Sequence, residues 1–148
     1  MRSIIIPYLL LASVTCHAYL LLLSSECGRT LHEHSGTFTS PGFPNSGKYK
    51  FCDWRISVTP GQRISLNFTA FGLKRSAKCK DEYVEVRDGH SRTAPLIGKF
   101  CGKKDPPPLM STGSRLWIRY SSGDAETRQG FKASYNGTSR KNHRQFAN

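Results

Sequence analysis

Two acidic residues, Asp81 and Glu82, stand side by side shortly after Cys79. Adjacent carboxylates supply oxygen ligands of the kind that Ca²⁺ prefers, so these two residues form a candidate ion site. The following stretch from Tyr83 to Arg87 alternates polar and apolar positions and ends at the turn dipeptide Asp88-Gly89, which predicts a half-buried strand. A cysteine that needs a partner, a possible ion site and a core strand therefore lie next to one another.

Residue patterns that would indicate catalysis are incomplete. The segment His32-Glu33-His34 lacks the spacing of the His-Glu-x-x-His zinc motif. Neither a Gly-x-Ser-x-Gly nucleophile motif nor a P-loop occurs in the sequence. Glu85 and Asp88 are interpreted as a strand residue and a turn residue, which gives little support for a paired-carboxylate hydrolase. We predict that the protein is not an enzyme.

The N-terminal residues predict the cellular compartment. Arg2 is followed by an almost wholly apolar run over residues 4–23, which is typical of a secretory signal peptide. We assign residues 1–25 to this signal, with a cut after Ala18 or near Ser24. An uncleaved N-terminal signal anchor is the alternative, since about twenty apolar residues can span a bilayer. Either interpretation delivers the remainder outside the cell, and we expect a secreted, extracellular protein.

The cysteine count agrees with that compartment. There are five cysteines, and one of them, Cys16, lies within the predicted signal. The remaining four, Cys27, Cys52, Cys79 and Cys101, allow three disulfide pairings. Sequential pairing closes two loops of similar size, and each bridge would stabilise the fold by about 3 kcal/mol. A zinc site is not supported, because no Cys-x-x-Cys pair is present.

Short stretches of alternating polar and apolar residues recur along the rest of the chain, separated by Gly, Pro, Asn and Asp turns. This pattern predicts an all-β protein with an antiparallel β-sandwich or barrel. The predicted strands are Gly36–Thr39, Cys52–Val58, Arg63–Phe68, Tyr83–Arg87, Pro95–Phe100, Arg115–Ser121 and Phe131–Tyr135. The polar and basic segment 136–148 is predicted to be a disordered tail.

Six short segments form a recognisable series along the chain: Cys27-Gly28, Ser40-Pro41-Gly42-Phe43-Pro44, Cys52-Asp53-Trp54-Arg55-Ile56, Tyr83-Val84-Glu85-Val86-Arg87-Asp88-Gly89, Gly98-Lys99-Phe100-Cys101-Gly102 and Gly130-Phe131-Lys132-Ala133. In this order they resemble the CUB domain, an extracellular β-sandwich related to the spermadhesin jelly roll. The resemblance covers residues 27–135, and Ser114-Arg115-Leu116-Trp117 is most similar to the CUB domains of tolloid-like proteases. The resemblance implies disulfides Cys27–Cys52 and Cys79–Cys101. It also implies that the chain binds proteins, and sometimes glycans, and does not catalyse a reaction.

The resemblance also raises the question of a calcium site. Many CUB domains hold Ca²⁺ at three acidic positions, which correspond here to Lys74, Glu82 and Gly123, none of them the family residue. In one interpretation Ca²⁺ still binds, through Asp81, Glu82 and Asp124. In the other, which we favour, the Lys74 ammonium pairs with those acids and no cofactor is bound. A set of solvated loop charges worth less than about 1 kcal/mol each is a third interpretation.

The chain carries 22 Lys and Arg against 10 Asp and Glu, a formal charge of +12. Outside the cell such an excess favours heparan sulfate or another sulfated glycan as a partner, whereas no motif for nucleic-acid binding is present. The basic groups are Lys48/Lys50, Lys74/Arg75/Lys78/Lys80, Lys99/Lys103/Lys104 and Arg140/Lys141/Arg144.

Two further features concern the protein surface. Arg115, Trp117 and Arg119 share one face of a predicted strand and form, with Lys74, a candidate binding surface. Alternatively, the arginine stems simply cover the Trp117 ring. Asn67 and Asn136 begin glycosylation sequons, and we expect Asn136 to be the better acceptor because the tail would begin there.

These observations favour a secreted, non-catalytic binding module that docks an extracellular protein. Two alternatives remain: a basic glycosaminoglycan-binding protein, and a truncated, non-catalytic piece of a tolloid-like metalloprotease.

Overall fold

The computed structural model describes residues 27–45, 51–123 and 129–139. This part of the chain forms nine strands and one short 3-10 turn, Ala77–Cys79. The strands are β1 Thr30–Leu31, β2 Ser35–Thr39, β3 Phe51–Ser57, β4 Gln62–Gly72, β5 Tyr83–Arg87, β6 Leu96–Phe100, β7 Leu109–Met110, β8 Arg115–Ser121 and β9 Gly130–Ser139. The predicted signal peptide lies outside the described residues.

The strands form two sheets. The five-stranded sheet has the order β1-β3-β8-β5-β6, and the four-stranded sheet has the order β2-β9-β4-β7. All neighbouring strands are antiparallel except β1 and β3, which pair in parallel. This architecture confirms the predicted all-β antiparallel sandwich.

The core lies between the two sheets and consists of the inward residues of the alternating strands. Phe131 of β9 is fully buried at its centre. Its ring makes edge contacts with Trp54, Phe68 and Tyr120, with ring centroids 5.6, 5.6 and 5.7 Å away. Because burying each such aromatic or aliphatic side chain contributes about 1.5–3 kcal/mol, this layer holds the sheets together.

Two disulfides tie the ends of strands to the sandwich. Cys27–Cys52 links the chain ahead of β1 to β3, and its Cα atoms are 5.0 Å apart. Cys79–Cys101 links the 3-10 turn before β5 to the residue after β6, with Cα atoms 5.4 Å apart. The predicted sequential pairing is therefore confirmed.

The last strand is longer than predicted. β9 continues through Ser139, so residues 136–139 belong to the sheet and not to a tail. The buried Gly137 donates its backbone N–H to the His34 carbonyl oxygen at 2.7 Å, and β9 pairs with β4 up to Ser139. A glycine has no side chain to continue the alternating pattern, which is why the sequence placed the end of the strand at Tyr135. Residues 140–148 lie outside the described part.

Candidate functional site

The acidic pair Asp81-Glu82 lies between the 3-10 turn and β5, and its two side chains point in different directions. Glu82 is only 1 % exposed, whereas the Asp81 side chain remains partly exposed. The alternation that starts β5 explains this difference, because successive side chains at the start of a strand face opposite sides. We call Lys74, Asp81, Glu82 and Tyr120 the Glu82 site.

Both carboxylate oxygens of Glu82 accept hydrogen bonds inside the protein. The backbone N–H of Lys74 donates to Oε2 at 2.6 Å, and the Tyr120 hydroxyl donates to Oε1 at 2.9 Å. Burial, and to a smaller extent the charge of Glu82, raises the pKa of Tyr120, so the phenol keeps its proton. The buried carboxyl group therefore has two fixed hydrogen-bond donors in place of water.

Lys74 and Asp81 form a separate ion pair at the surface. The Lys74 Nζ lies 3.3 Å from the Asp81 Oδ2, and the side chains are 41 % and 39 % exposed. A pair so open to water stabilises the fold by less than about 1 kcal/mol. Lys74 thus contacts one acid through its ammonium and the other through its backbone.

The third calcium position of the family is occupied by Gly123. Its φ is +56°, and a Cβ atom placed there would lie 2.4 Å from the Asp81 carbonyl oxygen. A side chain at this position would therefore require the backbone to move. Asp124, the alternative ligand, lies outside the described residues.

The side chains of the Glu82 site do not form a set of ligands that fits a calcium ion. Both Glu82 oxygens already accept hydrogen bonds, and Asp81 faces an ammonium group. Ca²⁺ requires six to eight oxygen ligands, several of them usually carboxylates. Within residues 27–45, 51–123 and 129–139, no three His, Cys, Asp or Glu side chains are grouped so that they could hold a metal ion.

The outer face of the five-stranded sheet carries a second group of charges. Trp117 lies on this face, outside the core between the sheets, yet it is only 1 % exposed. The Trp117 ring is buried, and the Arg119 guanidinium lies over it, in agreement with the interpretation in which arginines cover the ring. The candidate binding surface at these residues stays a prediction. We call Trp117 together with Arg55, Arg87, Arg115 and Arg119 the arginine face.

Arg119 is held firmly within this face. Its Nε and one terminal nitrogen donate to the two carboxylate oxygens of Asp53, at 2.7 and 2.8 Å. This hydrogen-bonded pairing raises the pKa of Arg119. The guanidinium carbon lies 5.1 Å from the centre of the Trp117 ring and 4.9 Å from that of Phe51. One arginine therefore links a carboxylate and two aromatic rings.

The other carboxylate on this face, Glu85, is also already paired. Arg87 donates through Nε to Glu85 Oε1 at 2.9 Å, and through a terminal nitrogen to the Ala94 carbonyl oxygen at 2.9 Å. Lys99 lies over the Tyr83 ring, with its Nζ 3.9 Å from the ring centre. Arg55 and Arg115 are exposed, and among the described residues neither pairs with a carboxylate.

Two members of this face, Arg55 and Arg87, were not expected as site residues. They stand opposite Trp117 on β3 and β5, which are far apart in sequence and meet only through β8. The sequence does indicate that Arg55 lies on the outer face, because Arg55 occupies a polar position of a predicted strand. The role of Tyr120 was likewise missed, because the hydroxyl of a core aromatic residue reveals no partner in the sequence.

The remaining predicted site residues are dispersed. Asn67 on β4 and Asn136 on β9 both face outward on the four-stranded sheet, where they pair with Ser134 and Ser65. His32, Glu33 and His34 are exposed ahead of β2. Lys103 and Lys104 are exposed after Cys101, whereas Lys48, Lys50, Arg140, Lys141 and Arg144 lie outside the described part.

A sequence model of the CUB domain matches residues 27–135. The chain belongs to the CUB domain family. It is 53 % identical over 113 residues to Tolloid-like protein 2 of Homo sapiens, covering 76 % of this chain and 11 % of that protein. The resemblance to CUB domains, and to those of tolloid-like proteins, is thereby confirmed. The chain spans only about a tenth of the length of this relative.

Solved structures share the fold. The full extracellular region of zebrafish Gpr126/Adgrg6 aligns with a TM-score of 0.68 and 28 % identity, covering 78 % of this chain and 15 % of that one. The MASP-1 CUB2 domain bound to Ca²⁺ aligns with a TM-score of 0.65 and 26 % identity, covering 74 % of this chain and 98 % of that one. No helix in the described residues of this CUB domain is long and apolar enough to cross a membrane.

Proposed function

We propose that this CUB domain is a secreted, non-catalytic module that docks an extracellular protein without calcium. The observation that carries the proposal is the arginine face, where four arginines occupy the strand positions around a buried aromatic ring. Arginine and aromatic side chains are enriched at protein interfaces and carry much of their binding energy. Phe51, which is 46 % exposed beside Arg119, adds apolar surface to the same face.

Three observations support an extracellular site of action. Two disulfides are typical of proteins that fold in oxidising compartments. The apolar run at residues 4–23 has the composition of a secretory signal. A domain of the same fold occurs in the extracellular region of zebrafish Gpr126/Adgrg6.

Independence from calcium is supported by the Glu82 site. The buried carboxylate there is already stabilised by Lys74 and Tyr120, and the surface acid Asp81 already pairs with a lysine. The local structure that a divalent ion would otherwise organise is thus held by groups of the chain itself.

Affinity capture tests this function. The oxidised, glycosylated chain is immobilised and exposed to extracellular fluid, either with calcium or with EDTA. We expect the same protein partner in both samples, and the purified partner should bind the chain directly with equal affinity in both. Capture that is lost in EDTA would overturn the calcium-independent docking, and a failure to bind any purified partner would overturn docking altogether.

The formal charge of +12 supports a second candidate function, binding of a sulfated glycan such as heparan sulfate. The exposed Lys103 and Lys104 are described residues that would contribute from one loop, beside the exposed Arg75, Lys78 and Lys80 between β4 and β5. The chain should then elute from a heparin column only above physiological salt, and a double Lys103→Gln/Lys104→Gln variant should elute earlier. Elution of the unaltered chain at or below physiological salt would remove this candidate.

The third candidate, a piece of a tolloid-like protease, is supported by the identity to Tolloid-like protein 2, of which the chain covers 11 %. Sequencing of the genomic region would test it, since protease-coding exons should lie next to the exons of this chain. Their absence would contradict it.

A further inference from the structure

Four arginines occupy the nearest positions around Trp117 on the outer face of the five-stranded sheet. Arg55 on β3 and Arg87 on β5 stand directly opposite Trp117 in the strand register. Arg115 and Arg119 precede and follow it by two residues on β8, and therefore point to the same side. Only 1 % of Trp117 is exposed, and the Arg119 guanidinium lies over its ring, with the guanidinium carbon 5.1 Å from the ring centre.

Only half of this positive charge is neutralised within the described residues. Asp53 pairs with Arg119 and Glu85 pairs with Arg87, so both carboxylates on the strands of this face are used. Arg55 and Arg115 stay exposed and have no carboxylate partner in the part of the chain that the structure describes. The paired arginines are structural, and the two exposed ones are available to a ligand.

The two exposed arginines are spaced for a particular ligand geometry. Arg115 stands opposite Ser57 and Trp117 stands opposite Arg55, so Arg55 and Arg115 are diagonal neighbours on adjacent strands. Diagonal neighbours in an antiparallel sheet are about 7–8 Å apart. Side chains two residues apart on an extended chain are separated by roughly 7 Å and point to the same side. Two carboxylates at alternate positions of an extended segment therefore match the two guanidinium groups.

The opposite side of the sandwich carries the glycosylation sequons. Asn67 and Asn136 are diagonal neighbours on the outer face of the four-stranded sheet, because Asn136 pairs with Ser65 and Asn67 with Ser134. Glycans attached there would project away from the arginine face. The sequons thus leave the five-stranded sheet accessible to a partner.

We propose that the arginine face binds an extended acidic segment of the protein partner, whose carboxylates at alternate positions pair with Arg55 and Arg115. This inference rests on the proposed docking function and specifies the chemistry of the partner. Each guanidinium can hold a carboxylate through two parallel hydrogen bonds. Phe51 beside Arg119 offers apolar contact to the side chains of a peptide. A second copy of this chain is a poor occupant, because two chains of charge +12 repel each other.

Titration with two synthetic peptides tests the inference. One peptide, the alternating peptide, is a Thr peptide with two Glu residues at alternate positions, and the other has the same composition with the two Glu residues adjacent, so only the first places both carboxylates on the same side of a strand. The unaltered chain, at physiological ionic strength, should bind the alternating peptide several-fold more tightly. In the Arg55→Gln/Arg115→Gln variant, binding of the alternating peptide should weaken by roughly tenfold or more, since two charge-assisted pairs are lost.

A variant with the same loss of charge serves as the control. Lys104→Gln/Lys132→Gln removes two exposed cations, one in a loop and one on the four-stranded sheet. It should weaken binding of the alternating peptide by less than about threefold, the effect of long-range charge alone. Equal losses in the two double variants, or equal affinity for the two peptides, would overturn the inference.

Two further outcomes identify other partners. Binding of a heparin oligosaccharide that is lost in Arg55→Gln/Arg115→Gln, without any binding of peptide, would assign the face to a sulfated glycan and overturn the inference. Self-association of the unaltered chain that this variant abolishes would assign the face to a second copy, with the same consequence. If the partner captured from extracellular fluid binds the variant normally, docking stands and only its assignment to an acidic segment at this face fails.

Discussion

Tyr120 and Trp117 lie three residues apart on β8, and both are 1 % exposed, but they belong to opposite faces of the sheet. Tyr120 faces the core and donates its hydroxyl to the buried Glu82, which has a second donor in Lys74. Trp117 faces outward among four arginines, of which Arg119 lies over its ring and two have no carboxylate partner among the described residues. Equal burial therefore has different causes at the two sites.

The difference distinguishes structural charges from charges available for binding. At the Glu82 site Glu82 accepts hydrogen bonds from a hydroxyl and a backbone N–H, and Asp81 pairs with Lys74, so the site has little left to offer a ligand. At the arginine face the guanidinium groups outnumber the carboxylates, and the excess is exposed. Exposure of the charged atoms, and not burial of the neighbouring aromatic residue, indicates which site can bind a partner.

The largest expected effect is on stability at the Glu82 site. Glu82→Ala should lower the free energy of unfolding by about 3 kcal/mol, because it leaves the buried Tyr120 hydroxyl and the partly buried Lys74 N–H without an acceptor. Glu85→Ala on the arginine face should cost about 1 kcal/mol or less, since its partner Arg87 also contacts the Ala94 carbonyl. Chemical denaturation of both variants measures the contrast. Similar losses would remove the distinction between the two sites.

Tyr120→Phe should cost about 2 kcal/mol, because Glu82 loses a donor inside the protein. It should also change the alkaline part of the stability curve. The folded pKa of Tyr120 is raised above its ordinary value of 10.0, so its contribution to stability is present below pH 10 and is lost as the pH rises further. The decline above pH 10 should therefore be shallower in Tyr120→Phe.

Tyr135→Phe is the matched control for this measurement. The Tyr135 hydroxyl donates to the backbone carbonyl oxygen of Glu33, an uncharged acceptor, at 3.1 Å. Burial raises the pKa of Tyr135 as well. Its substitution should cost less than Tyr120→Phe and leave the contribution of Tyr120 to the alkaline decline in place. An alkaline decline that is the same in Tyr120→Phe as in the unaltered chain would contradict the role given to the Tyr120–Glu82 hydrogen bond.

Lys74→Ala should change the free energy of unfolding by less than about 1 kcal/mol, because the Lys74–Asp81 pair is exposed to water.

Millimolar calcium should leave the melting temperature of the unaltered chain unchanged in thermal denaturation. A calcium-dependent rise that disappears in Glu82→Ala would instead show that the site binds the ion.

The smallest effect on stability is expected at the exposed arginines. Arg55→Gln/Arg115→Gln should alter the free energy of unfolding by no more than about 0.5 kcal/mol, although it weakens peptide binding. Chemical denaturation of this variant and of Lys104→Gln/Lys132→Gln measures the free energy of unfolding of each. A larger loss would show that Arg55 and Arg115 hold the cover over Trp117 and are part of the structure.

The local pattern of the sequence predicted most of the strands, because alternation depends only on neighbouring residues. β3 and β8 lie within about one residue of their predicted limits, the usual uncertainty of strand ends. The extension of β9 was missed at Gly137, which has no side chain to continue the alternation, and the two-residue strands β1 and β7 are too short to show a pattern.

The two sites were harder to predict, since they depend on contacts between distant segments. The sequence identified Asp81 and Glu82 as adjacent acids, but not the Tyr120 hydroxyl 38 residues from Glu82. It also placed Trp117 on the correct face of its strand. The burial of Trp117 depends on strand register, which brings Arg55 and Arg87 beside it and which no local pattern reveals.

The Cys27–Cys52 bridge has a mechanical consequence. It joins the chain ahead of β1 to β3 in the five-stranded sheet, whereas β9, at the other end of the described chain, lies in the four-stranded sheet. A pulling force applied at Cys27 and Ser139 would first load the covalent bridge and then the apolar layer between the sheets. The two-residue pairing of β1 with β3 would bear little of that force, so the domain should resist stretching as a whole sandwich and not peel from its first strand.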